Sequence, residues 1–319
     1  MKVKLWGVRG SIPTPLSSDT IEQKLVKALT FARPGDISSE EAVKSFVDTL
    51  PLYIKGTYGG NTTCIEVLTD SGELIIIDCG SGLMHLGRTL MTGDFGKGTG
   101  VANIFLTHTH WDHIQGIPFF TPFYIKGNRF NFYSPMDDLK ERIDYQQAET
   151  HFPVTFDNMQ ASKRFFKVNA DEEFYINDVK IYTKSMPHPG GAFGIRVEEG
   201  DKVFVYTSDC EFSINEIDNI QSYEPLFNSA NVALFDAQYT FHESLIDKIT
   251  WGHSSATIAI DIADKYDIQK LVLFHHDPTY DDEKLNSVIS NARTYINVNK
   301  KIRDDLEVEL ATEGMVFEF

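Results

Sequence analysis

Residues 107–113 place three imidazoles and one carboxylate, from His108, His110, Asp112 and His113, within six positions of one another. Imidazole and carboxylate together suit zinc, manganese or iron. The stretch follows an apolar run at 101–106 that reads as a buried strand. His108 and His110 lie two apart, so an extended segment projects them the same way. Asp112 and His113 follow where the chain must turn, and they can reach a second ion beside the first. A histidine-rich surface loop is the bland alternative. The crowding of ligand-type residues at a strand end weighs against it.

Other apolar runs deliver the same kind of residue. A strand at 179–183 leads to His188, one at 202–206 to Ser208 and Asp209, one at 232–235 to Asp236, and one at 270–274 to His275 and His276. Asp78 closes a strand at 73–77, where a loop-organising carboxylate is the expected role. His253 stands just before a helix whose Ala256, Ala259, Ile260 and Ala263 share one face, with Ser254 or Ser255 as cap. The start of a helix favours an anion, which suits a group that handles a negatively charged substrate. Arg9 lies in a loop punctuated by Gly and Pro, and is either a surface charge or an anion contact. His151, before Phe152 and Pro153, reads as structural. Phe119, Phe120 and Phe123 wall the site, with core packing favoured over base stacking for each.

These residues need a frame. Strand-like runs fall into two sets, each finished by helices, which implies two packed sheets with helices outside. The helix-then-strand unit across 251–276 suggests a parallel crossover. Residues 20–50 read as an inserted helical hairpin, with Ser38 or Ser39 capping its second helix. Residues 137–149 are compatible with a helix. Residues 295–299 and 306–310 read as edge strands. No linker separates independent units, so 1–319 is expected to form a single domain.

Lys and Arg number 29 against 46 Asp and Glu, a net charge of −17. That balance repels nucleic-acid phosphates and disfavours nonspecific binding to them. The three cysteines, Cys64, Cys79 and Cys210, form no CxxC pair and read as small buried hydrophobes in a reducing compartment. No signal peptide and no run near the roughly 20 apolar residues of a membrane span is visible. A soluble cytoplasmic protein is expected, with no membrane partner.

The order of these pieces resembles the metallo-beta-lactamase superfamily. His108-Thr109-His110-Trp111-Asp112-His113 matches its HxHxDH signature, and His188, Asp209 and His275 match its later ligands in order and context. The resemblance implies an α/β fold, a four-layer αββα sandwich, here with a helical insertion at 18–55. It also implies two divalent metal ions, zinc first, with manganese or iron as alternatives. His108, His110 and His188 would hold one ion. Asp112, His113 and His275 would hold the other, with Asp209 bridging. His276 competes with His275 for that role, and its spacing from Phe274 turns it the other way.

Gly252-His253-Ser254-Ser255-Ala256 and Leu271-Val272-Leu273-Phe274-His275 are similar to the end of the ribonuclease Z and phosphodiesterase branch. Ser255 and Phe274 each stand where that branch carries Thr. Gly7-Val8-Arg9-Gly10-Ser11 and Gly59-Gly60-Asn61-Thr62 are similar to bacterial cyclic phosphodiesterases, such as the phosphoribosyl cyclic phosphodiesterase group. The implied activity is hydrolysis of a phosphodiester, in a small cyclic nucleotide or cyclic sugar phosphate, by a metal-bridging hydroxide. Asp112 would orient the nucleophile and His253 would serve the leaving oxygen as catalytic residue. Arg9, Ser208 and His276 are candidate substrate contacts. With no basic, glycine-rich arm and a charge of −17, tRNA is disfavoured as a partner in favour of a small anionic diester. A homodimer is the family-like default. The alternatives are a thioester or lactam hydrolase on the same metals, and a metal-binding module without catalysis.

Overall fold

Alternation builds the first strand: in β1 (Lys2–Gly7) Val3 and Leu5 are buried while Lys2 is exposed, so one face seeks a core. The computed structural model describes residues 1–212 and 220–319. The other strands are β2 (Cys64–Leu68), β3 (Leu74–Ile77), β4 (Val101–Phe105), β5 (Arg129–Ser134), β6 (Ser162–Lys167) and β7 (Glu173–Ile176). They continue with β8 (Val179–Met186), β9 (Ala192–Glu199), β10 (Lys202–Tyr206), β11 (Val232–Asp236), β12 (Lys270–Phe274), β13 (Glu307–Leu310) and β14 (Val316–Glu318).

Two seven-stranded sheets result, ordered β14-β1-β2-β3-β4-β5-β6 and β13-β12-β11-β10-β9-β8-β7. Each is antiparallel in one part and parallel in the other. Pairing is parallel from β3 to β6 and from β10 to β13. Val3, Leu5, Ile65, Val67, Ile75 and Ile77 of the first sheet meet Ile195, Val197, Phe204, Leu234, Val272 and Phe274 of the second in one apolar layer. Each such side chain, taken wholly out of water, stabilises the fold by about 1.5–3 kcal/mol.

The outer faces are apolar as well, because β3 reads Leu-Ile-Ile-Ile and is buried throughout. On the first sheet they pack against the helix Leu83–Leu90 and against Phe120, Phe123 and Phe156. On the second they pack against the helices Ala256–Lys265 and Asp282–Val298. The molecule is thus the expected αββα sandwich. Among the described residues no helix is long and apolar enough to cross a membrane.

Residues 18–55 are mostly helical, with Ser18–Phe31, Glu40–Thr49 and the short Leu52–Lys55. Ser39 caps the second by accepting from the Ala42 N–H at 3.2 Å. Lys24 ties the first to the helix Asp282–Val298 through Asp282 at 2.7 Å and to the short third helix through the Tyr53 carbonyl at 2.6 Å.

Two local expectations are corrected. Residues 295–298 are not an edge strand but the last turn of the helix Asp282–Val298, whose Leu285, Val288, Ile289 and Ala292 form its buried stripe. Asp281 starts that helix, accepting from the Lys284 N–H at 2.7 Å. The helix before β12 has Ser255 at its N-cap position, but no serine side chain caps it. Ser254 Oγ instead donates to the Cys210 carbonyl at 2.7 Å and accepts from the Phe212 N–H at 3.1 Å.

Candidate metal centre

The parallel strands β3, β4, β10, β11 and β12 run the same way within each sheet, and the polar residues gather at their carboxyl ends, where open α/β sheets bind ligands. Asp78 follows β3, the 107–113 loop follows β4, Asp209 follows β10, Asp236 ends β11 and His275 follows β12. Leaving a strand sharply there puts Asp78, Ser208 and His275 in the left-handed region, with φ of 59°, 58° and 64°. Each of these non-glycine conformations costs on the order of 1–3 kcal/mol and persists only where the surroundings over-determine it.

The loops bring all seven sequence-predicted metal ligands together. His108, His110, His188 and Asp209 form one group, and Asp112, His113, Asp209 and His275 a second that shares Asp209. Within each, the candidate ligand atoms lie within 4.8 Å of one another. His108 Nε2 and His113 Nε2 lie 3.5 and 3.3 Å from Asp209 Oδ2, and His275 Nε2 lies 3.3 Å from Asp209 Oδ1. Asp112 Oδ2 stands 3.1 Å from His275 Nε2 and 3.4 Å from His113 Nε2, and accepts from the Ser11 N–H at 2.7 Å.

Four of the five imidazoles, all but His110, are held by their other nitrogen, a common arrangement around metal ligands. Asp78 Oδ2 faces His113 Nδ1 at 2.7 Å, the Gly252 carbonyl faces His188 Nδ1 at 2.9 Å, and Gln238 Oε1 faces His275 Nδ1 at 3.0 Å. Thr107 Oγ1 is 3.2 Å from His108 Nδ1 and donates to Asp78. Two glycines make the packing feasible. A Cβ on Gly10 would sit 2.5 Å from the His275 ring, and one on Gly252, whose φ is +93°, would sit 2.3 Å from His188 Nδ1.

The donors fit divalent cations. His108 Nε2, His113 Nε2 and Asp209 Oδ1 are buried without a hydrogen-bond partner, a costly arrangement for three converging polar atoms unless something binds them. Charge distribution agrees. Burial pushes His110 down to about 4 and His188 down to about 3, so both are neutral and have lone pairs to give near neutral pH. Burial also acts against the charged form of His275, but Asp209 and Asp112 outweigh it and raise that ring to about 9. Asp209 is held well below the ordinary carboxylate range: burial opposes this, and His275, His113 and His108 overcome it.

His253 sits against this cluster. Its ring stacks on His275 at 4.9 Å and approaches His188 at 5.4 Å. Its Nδ1 faces Asp236 Oδ2 at 2.8 Å, and that oxygen also accepts from the Cys210 N–H at 2.9 Å. The pairing with Asp236 is invisible in sequence, where the carboxylate lies 17 positions upstream at the end of an ordinary strand. Gln238 and Gly252 are equally silent there. The only available signal was the repeated form of an apolar run ending in Asp, shared by Asp78, Asp209 and Asp236.

The three expected substrate contacts have partners of their own within the protein. Arg9 is buried, and its guanidinium donates to the backbone carbonyls of Gly59, Asp277 and Tyr280 at 2.9, 3.0 and 2.8 Å. It is a tie between loops that leaves little for an anion. Ser208 is buried and its hydroxyl donates to Thr107 Oγ1 at 2.8 Å. His276 turns away from the cluster and its Nε2 lies 2.8 Å from the Ala311 carbonyl, with burial pushing it down to about 3. Phe120 and Phe123 are core residues, while Phe119 remains exposed.

A family model described as a beta-lactamase superfamily domain matches residues 74–276, which takes in all seven candidate ligands from His108 to His275. The chain belongs to that superfamily. It is a metal-dependent hydrolase of the metallo-beta-lactamase fold. It is 22% identical over 288 residues to ribonuclease Z of Oceanobacillus iheyensis, covering 73% of this chain and 88% of that one. The metallo-beta-lactamase fold protein YhfI of Bacillus subtilis superposes with a TM-score of 0.65 at 16% identity, over 100% of this chain and 98% of that one. The short form of human tRNase Z superposes with a TM-score of 0.60 at 17% identity, over 100% and 99% of the two chains.

These relatives overturn one expectation. A charge of −17 predicts that tRNA is disfavoured and a small substrate favoured, yet the curated relatives that match the chain include ribonuclease Z proteins. The physical weakness of that inference is one of range. Net charge describes a whole surface whose field is screened beyond about 10 Å at 0.1 M salt, whereas phosphate is recognised by the few groups within contact.

Proposed function

We propose that the protein hydrolyses a phosphodiester bond, with His253 protonating the leaving oxygen. The observation that carries the reading is the His253–Asp236 pair beside the two ligand groups. Thioester and lactam cleavage on the same ligands would not require a separate proton donor braced by a carboxylate.

When bound, the two cations supply Lewis acidity toward the phosphoryl oxygens and lower the pKa of water. His108, His110 and His188 would hold one, Asp112, His113 and His275 the other, with Asp209 common to both. The chain's own groups perform the rest. Asp112, anchored by the Ser11 N–H, orients the attacking water. Asp236 holds His253 Nδ1 and so directs Nε2 toward the substrate. The water gives up a proton to solvent and its oxygen bonds to phosphorus, the P–O bond to the leaving group breaks, and His253 Nε2 delivers its proton to the departing oxygen. The nearby start of the helix Ala256–Lys265 favours the anionic diester.

The amino-terminal motifs point to a cyclic nucleotide or sugar phosphate, and the ribonuclease Z relative points to RNA. Both place the same bond before the same residues. The test is turnover by metal-loaded protein of 2′,3′- and 3′,5′-cyclic nucleotides, cyclic sugar phosphates and a precursor tRNA, beside a β-lactam and a thioester. Cleavage confined to diesters is expected. Cleavage of the lactam or thioester with every diester untouched would refute the reading.

A further inference from the structure

The loop that carries the metal ligands has a second side. Thr109 and Trp111 alternate with His108 and His110, and they help line a cavity of about 720 Å³ closed by the helix Leu139–Gln146 and by His151. That volume lies in the range of sites for drug-sized ligands. Three aromatic rings border it. Trp111 is 82% exposed and Tyr145 is 74% exposed, and the Tyr145 ring lies 5.5 Å from that of His151. Ile114 adds apolar wall.

Polar groups in the wall are specific. Arg142 is held by Asp138 at 2.7 Å and donates to Thr109 Oγ1 at 3.2 Å. Gln146 uses its Nε2 to donate to the Ile114 carbonyl at 2.9 Å, which leaves its Oε1 buried and without a partner. An indole and a phenol left to water on the wall of one cavity describe a site for a flat ring. His151, expected to be structural, belongs to this wall.

We infer that this cavity is a nucleobase subsite, placing a base between Trp111 and Tyr145 while the attached diester reaches the metal loop at His110. The inference rests on the phosphodiester reading for what lies at the loop. Stacking on aromatic side chains tolerates any base. The base belongs either to a free cyclic nucleotide or to a nucleotide of an RNA chain.

The test compares two esters with one leaving group, thymidine 5′-(p-nitrophenyl) phosphate and methyl p-nitrophenyl phosphate, on metal-loaded protein. Wild type should favour the nucleoside ester by about 5- to 100-fold, through KM rather than kcat, which is the fold-change that base stacking supplies. Trp111→Ala and Tyr145→Ala should each bring that preference toward one. Tyr145 is exposed at the end of its helix, so the second variant keeps the test valid should the first lose metal. Equal KM values in wild type, or a preference that survives both variants, would overturn the subsite while leaving the diesterase standing.

If neither ester is cleaved, the diesterase reading falls. Quenching of tryptophan fluorescence by thymidine 5′-monophosphate then decides the subsite. Saturable quenching weakened by Tyr145→Ala sustains it, and absence of quenching overturns it. Competition by a 2′,3′-cyclic nucleotide assigns the base to a free nucleotide, competition by a short oligoribonucleotide alone assigns it to RNA, and competition by neither counts against the subsite.

Discussion

Replacing Asp236 with asparagine tests the proton-donor assignment without emptying the space the carboxylate fills. In the native protein Oδ2 accepts from the Cys210 N–H at 2.9 Å and faces His253 Nδ1 at 2.8 Å, while Oδ1 accepts from the Gln238 N–H at 3.2 Å. Asparagine has one acceptor oxygen where two are needed. If that oxygen faces His253 and Cys210, the amide NH₂ confronts the Gln238 N–H. If the amide turns over, its NH₂ confronts the imidazole and reverses the tautomer that Asp236 imposes. Either way a buried donor loses its acceptor, at a cost of about 1–3 kcal/mol to stability.

The kinetic effect is larger and depends on the leaving group. General acid catalysis contributes roughly 10²–10⁴-fold, and it matters in proportion to how badly the departing oxygen needs a proton. A ribose alkoxide needs one, and p-nitrophenolate scarcely does. Asp236→Asn should therefore lower kcat by about 10²-fold or more on a cyclic nucleotide and change it little on bis(p-nitrophenyl) phosphate, with metal content retained. His253→Ala should reproduce the same pattern. Equal losses on both substrates, at full metal occupancy, would refute the assignment of His253 as proton donor.

Four further outcomes are expected. Asp209→Ala should lower the bound metal measured by elemental analysis from two equivalents toward none, since Asp209 belongs to both ligand groups. Two equivalents retained would contradict the bridge. Asp78→Ala should cost about 2–4 kcal/mol in urea unfolding, because it strands the Thr107 N–H, frees His113 Nδ1 and puts alanine at a φ of 59°. Asp78→Asn, which tolerates that φ, should cost less. Gly252→Ala should weaken metal binding in a competitive chelator titration by about 10–100-fold through displacement of His188, and unchanged affinity would remove that glycine from the argument. Lys248→Met should destabilise the protein by about 1.5–3 kcal/mol at neutral pH, where Lys248 donates to buried Asp277 at 2.8 Å.

The pH dependence of that last change follows from its sign. Burial opposes ionisation of Asp277, but bonds from Lys248 and Thr279 prevail and hold its carboxyl below the ordinary value. A depressed carboxyl contributes stability above its unfolded value, about 3.9, and loses that contribution as pH falls through the folded value. The difference between wild type and Lys248→Met should shrink below about pH 4. A difference that grows on acidification would contradict the pairing.

What could be read without coordinates was local or periodic. His108, His110, Asp112 and His113 lie within one turn of chain, so their shared chemistry is a property of sequence spacing. His188, Asp209 and His275 each follow an apolar run, and a strand that ends in a ligand points it to the sheet's edge whatever the neighbours. Residues 295–299 read as a strand because Tyr295, Ile296 and Val298 are good strand formers, but packing of the Leu285, Val288 and Ile289 stripe of the helix Asp282–Val298 against the second sheet overrides that preference.

The apolar runs of the sequence carried two packed sheets with helices outside, because buried strands must be apolar, and the resemblance of its motifs to the superfamily carried the αββα sandwich and the seven-residue donor set. Tertiary structure decided where each polar group points. Arg9 meets Tyr280 across 271 positions, Ser208 meets Thr107 across 101, and His253 takes Asp236 as its partner. The same holds for the cavity beside Trp111, whose far wall is a helix that begins 28 residues later. A side chain's composition states what it can bond to. Its actual partner depends on which loops the two sheets bring to the same edge, and that follows from the packing of the whole chain.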